Sequence, residues 1–101
     1  MKPHAFHPEA AGEFLEALAY YGEKSQALGR HFFHAMHALI ADVSRTPTVY
    51  RRMPGPEDVQ RHFKKPFPYA VLYVDEPAGV LVLAIAHFKR RAGYWRHRLS
   101  E

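Results

Sequence analysis

The residues from Tyr69 to Ala86 constrain the fold more than any other stretch of this chain. Val80-Leu-Val-Leu-Ala-Ile-Ala86 is apolar without interruption. A strand that is apolar on both faces belongs inside a sheet and must be covered on each side. Just before it, Tyr69-Ala-Val-Leu-Tyr-Val74 has the β-branched and aromatic content of a strand. Asp75-Glu-Pro-Ala-Gly79 between them is turn chemistry, so the pair predicts an antiparallel hairpin.

The first half of the chain supplies cover for one face of that hairpin. Pro8 suits the first turn of a helix, where its missing N–H would have no partner anyway. Ala10, Phe14, Leu18 and Tyr21 recur at helical spacing, which predicts a helix from about Pro8 to Tyr21. Glu9 and Glu13 lie near its positive pole. Gly22 and the polar residues after it mark a turn. Leu28, Phe32, Met36, Leu39 and Val43 then share one face of a second helix from Gln26 to Arg45, which Pro47 ends. The short connection makes the two an antiparallel hairpin.

Three shorter pieces complete the order. His4 to His7 reads as an edge strand, and Val59 to Phe63 alternates like a half-buried strand. Gly93 introduces a last helical turn from Tyr94 to Leu99. The expected fold is α+β, β-α-α-β-β-β: a helical hairpin packed on a small, mainly antiparallel sheet with a short C-terminal tail. With 101 residues, positions 1–101 make one domain. The second face of the sheet needs the tail, a partner or polar side chains to cover it, and Trp95 is read as closing over that core.

Charge is distributed unevenly. Residues 1–50 carry four Lys/Arg against five acids, and residues 51–101 carry ten against five. The second half therefore presents a basic face suited to nucleic acid or an acidic protein. The chain has no cysteine, which removes disulfides, thiolate metal sites and a Cys nucleophile, and fits a reducing cytoplasm. Neither a signal peptide nor a membrane span is expected. His31, His34 and His37 are read as a solvated helix face, because the first and last of the three diverge too far to share a metal. No cofactor is called for.

The candidate site residues cluster after residue 60. Arg61, Lys64, Lys65, His87, Lys89, Arg90 and Arg91 fall at or near strand ends. Such cations can hold a phosphate and stabilise its developing charge, with His87 or Tyr94 exchanging protons. The same residues, with Tyr94, Trp95 and Arg98, equally suit electrostatic docking of a partner.

Several segments resemble one family. Phe6-His-Pro-Glu-Ala, Glu13-Phe-Leu-Glu-Ala with Tyr20-Tyr21, and Leu28-Gly with Phe32-Phe33 resemble the helical hairpin of the RelE/ParE toxin superfamily. Arg61, Phe67-Pro-Tyr69, Tyr73, Leu81 to His87, Arg90-Arg91 and Tyr94-Trp-Arg-His-Arg98 continue the likeness over nearly the whole chain. The resemblance implies the toxin of a bacterial type II toxin–antitoxin system, bound by a cognate antitoxin. ParE-like members poison DNA gyrase. RelE-like members cleave mRNA on the ribosome with a basic cluster and often a C-terminal Tyr, for which Arg61, Lys64, Lys65, Arg90 and Tyr94 are the candidates. The short Arg90-to-Tyr94 spacing and His87 favour the ParE-like branch.

Overall fold

The computed structural model describes residues 1–100. The elements run β1 (His4–Phe6), α1 (Pro8–Lys24), α2 (Gln26–Arg45), β2 (Gln60–His62), β3 (Tyr69–Glu76), β4 (Gly79–His87) and a 3-10 turn (Arg96–Ser100). This is the expected α+β order. The strands form one sheet ordered β1-β4-β3-β2, antiparallel except that β1 runs parallel to β4.

Local chemistry explains the helix ends. The His7 ring accepts the Glu9 N–H at 3.0 Å, and Pro8 opens the first turn of α1. The helix does not stop at Tyr21, as its glycine suggests, but runs on to Lys24. Ser25 alone makes the joint. Its N–H caps the Tyr21 carbonyl at 3.2 Å, and its hydroxyl accepts the Leu28 N–H at 3.0 Å. Gly22 serves packing instead of turning: a Cβ on Gly29 would stand 2.9 Å from the Gly22 Cα, so the two helices approach here through their glycines.

The pairing of β3 with β4 shifts register part-way along. Leu72 pairs with Ala84 and Tyr73 with Val82, which leaves Leu83 as a bulge. One extra residue shifts the alternation. Val82 and Ile85 face the helices, while Leu83, Ala84 and Ala86 face the other side. The unbroken apolar run in the sequence thus feeds two cores at once.

The helix-side core joins Ala10, Ala17, Phe32, Met36, Leu39 and Ile40 to Val71, Val82, Ile85 and Phe67. Its aromatic rings interlock: Phe32 lies 5.2 Å from Phe67 and 5.4 Å from Tyr69, both edge-on. The other core is smaller, with Val59, Ala70, Leu72, Leu83, Ala84 and Ala86 beneath Trp95. Trp95 is 2% exposed, so the tail does close over this face. The predicted last turn begins later than Tyr94, at Arg96, because Gly93 takes a positive φ of 76° and turns the chain first.

Candidate functional site

The tail-side core is only partly covered. Beside Trp95 an open cleft of about 340 Å³ remains above the sheet. Met53, Ala70, Leu72 and Ala86 give it an apolar floor, and Arg61, His87, Arg90 and Arg91 stand around it. Among the described residues no carboxylate lines it. Phe63 and Phe88, 43% and 53% exposed, meet edge-on at 5.2 Å on its rim.

Strand geometry delivers these residues. Arg61 pairs with Leu72 across β2 and β3, and its guanidinium lies 5.3 Å from the Phe63 ring. His87 ends β4 with its ring edge-on to Tyr69 at 5.0 Å, and its Nδ1 accepts the Lys89 N–H at 3.0 Å. Arg90 and Arg91 follow in the turn that leads to the tail.

Behind the cleft lies a second arrangement, centred on Glu13. Strand β1 ends at Phe6, and the His7 N–H to Val82 carbonyl bond is the last backbone bond along that edge of β4. Side chains take over beyond it. Glu13 Oε1 accepts the Ile85 N–H at 3.0 Å, and Arg98 Nη1 donates to the Leu83 carbonyl at 3.0 Å. The two side chains then join each other through Nη1–Oε1 at 2.9 Å and Nη2–Oε2 at 3.0 Å. Tyr94 donates its hydroxyl to Glu13 Oε2 at 2.6 Å. A bidentate ion pair thus replaces a missing length of edge strand and ties the tail to α1.

The electrostatics follow from that packing. Burial raises the Glu13 carboxyl, but the bonds from Arg98, Tyr94 and Ile85 outweigh it and leave it below the usual range. Burial, and then the hydrogen bond to the Glu13 carboxylate, push the Tyr94 hydroxyl well upward. Tyr94 is therefore held protonated, its hydroxyl donating a hydrogen bond to the ionised Glu13 carboxylate. Its ring is flanked as well, by the Arg90 guanidinium at 3.9 Å and that of Arg98 at 5.1 Å.

Six of the residues read from the sequence share the cleft: Arg61, His87, Arg90, Arg91, Tyr94 and Trp95. The others stand apart. Lys64 reaches Asp42 on α2 at 2.8 Å, alongside His62 at 2.8 Å, and so belongs to the helix side. Lys65 and Lys89 are exposed in turns and do not line the cleft. Two candidate partner contacts need correction. The Arg98 side chain is 3% exposed and engaged with Glu13 and Leu83, because the open edge of β4 needs a donor there. Trp95 is buried for its packing and offers a partner only an edge of cleft wall.

No protein-family model matches the chain, and no curated protein matches it. Its own geometry therefore carries the functional argument.

Four contributors lie outside the basic pattern: Glu13, Met53, Phe63 and Phe88. Glu13 had a signal, since it falls between Ala10 and Ala17 on the buried stripe of α1, at i+3 and i−4. A carboxylate on such a stripe requires a partner, and Arg98 is the buried cation that answers it. Phe63 and Phe88 carry no such signal, because single exposed apolar residues are ordinary.

Proposed function

We propose that this chain is the toxin of a type II toxin–antitoxin pair, ParE-like in kind, which acts in the cytoplasm on DNA gyrase and is neutralised by a cognate antitoxin. The order β-α-α-β-β-β, with the helical hairpin on one face of the sheet, agrees with what the sequence resemblance implies. The observation that carries the choice of branch is the Tyr94 hydroxyl bound to Glu13 at 2.6 Å. The Tyr94 hydroxyl is held protonated and already engaged, while the side chains of Arg90 and Arg91 near it are exposed. That supports docking over cleavage. Among the described residues no helix is long and apolar enough to cross a membrane.

A second reading keeps one observation in its favour. Arg61, Arg90 and Tyr94 do share one cleft, as a RelE-like, ribosome-dependent mRNA endonuclease would require. The two separate in a direct assay. Purified protein is added to gyrase and relaxed plasmid, and mRNA ends are mapped after induction in cells. Inhibited supercoiling with uncut message supports the gyrase reading. Codon-positioned cuts with normal supercoiling replace it with the nuclease.

A further inference from the structure

We infer that residues 94–100 form a strap that swings off the sheet about Gly93 as one unit while the helices and strands stay folded, and that the Glu13–Arg98 pair is its latch. Among the described residues, the backbone bonds of this segment stay local: Tyr94 N–H to the Arg91 carbonyl, Arg96 N–H to Gly93 and Arg98 N–H to Trp95. None of them reaches a strand or a helix of the body. Every longer polar link is made by a side chain. Tyr94 and Arg98 end on Glu13, His97 on Glu9, and Arg96 on Glu57 and the Pro54 carbonyl. Arg98 also donates to the Leu83 carbonyl. The one fully buried apolar side chain of the segment is Trp95, whereas Leu99 is 37% exposed.

A segment opens by itself when its release leaves the bonds of its neighbours intact. Here the sheet ladder and the helical hairpin lose no backbone bond when the strap leaves. The latch is also poised. The Arg98 and Glu13 side chains are 3% and 15% exposed, so closing strips both of water and opening returns that hydration. The pair therefore fixes where the strap sits more than it deepens the closed state. The outer contacts, Arg96 with Glu57 and His97 with Glu9, lie toward solvent and add little. Glycine makes room for the hinge: a Cβ on Gly93 would strike the Arg96 guanidinium. Opening uncovers Val59, Leu83 and Ala84 and joins them to the cleft floor, so this apolar face is presented whole only in the open state.

Trp95 is the only tryptophan of the chain, so its emission reports the strap, while far-ultraviolet circular dichroism reports α1 and α2. Both signals are followed as the full chain is titrated with urea. The red shift of the emission is expected at lower urea than the loss of helix signal. Glu13→Gln keeps the shape of the latch and removes its charge. It is expected to raise the ratio of open to closed strap at least about tenfold and to leave the helix transition in place. Glu57→Gln, at an outer contact, is expected to raise that ratio by less than about fivefold, again without moving the helix transition. Coincident transitions in the parent would overturn the inference. Equal shifts of both signals in Glu13→Gln would do the same, because the pair would then belong to the whole fold. Should Glu13→Gln fail to fold, the parent and Glu57→Gln decide: separate transitions, with only the emission moved by the variant, support the strap, and signals that move in step overturn it.

Discussion

The two faces of the sheet are closed by very different means. On one, two full helices lay Ala10 and Ala17 of α1 and Phe32, Met36, Leu39 and Ile40 of α2 over Val71, Val82 and Ile85. On the other, a single indole covers Ala70, Leu72 and Ala86, and one ion pair between Glu13 and Arg98 holds that indole's segment in place. The first face is a finished core. The second is stable only at one end, and the open end keeps a basic rim. Binding surfaces arise where cover is thin but anchored, and the tail side has both properties.

The comparison breaks most visibly in stability. Phe32→Ala removes a fully buried ring from the interlocked aromatic cluster and is expected to cost about 4 kcal/mol. Trp95→Ala is expected to cost about 3 kcal/mol, less than its larger ring suggests, because the neighbouring cleft lets the site relax. Urea unfolding of both checks the ranking, and a larger loss at Trp95 would make the tail side the principal core. Glu13→Gln comes next, at about 2 kcal/mol, since it leaves the buried Arg98 guanidinium with only the more distant Glu9 carboxylate, at 3.9 Å, as counter-charge.

Acid should loosen the tail side in a way the variant reveals. The folded Glu13 carboxyl sits below its ordinary value of 4.5, so its ion pair stabilises the fold above that pH. The contribution is lost as pH falls through the lower, folded value. Asp42, held down on the helix side by Lys64 and His62 against the raising effect of burial, behaves alike. Unfolding free energies measured from neutral pH downward should therefore decline less steeply in Glu13→Gln than in the parent. Equal slopes would show that Glu13 does not carry the coupling. The smallest stability effect, under about 0.5 kcal/mol, is expected for Arg90→Glu with Arg91→Glu, which should nonetheless weaken binding of the proposed antitoxin and flatten its salt dependence.

Much of the fold was legible because the helix side obeys one period throughout. Leu28, Phe32, Met36, Leu39 and Val43 mark α2 from end to end, and its bounds Gln26–Arg45 are those expected. Gly22 misled because a glycine can permit close helix approach as readily as a turn, and only Gly29 opposite it tells the two apart. The basic residues of the cleft were legible as a set. Their separation from Lys64, and the internal use of Arg98, depended on partners far away in sequence: Asp42 for one and Glu13 for the other. The bulge at Leu83 left no local mark, because every residue around it is apolar.

The tail-side face is held here to dock its target, with no proton transfer by Tyr94, and Tyr94→Phe tests that most directly. The change removes the hydroxyl and keeps the ring between Arg90 and Arg98. Supercoiling by gyrase is measured with the parent and the variant at equal concentrations of folded protein. Docking predicts that Tyr94→Phe inhibits as the parent does. A parent that leaves gyrase unaffected, with growth arrest and message cleavage that vanish in Tyr94→Phe, would contradict it.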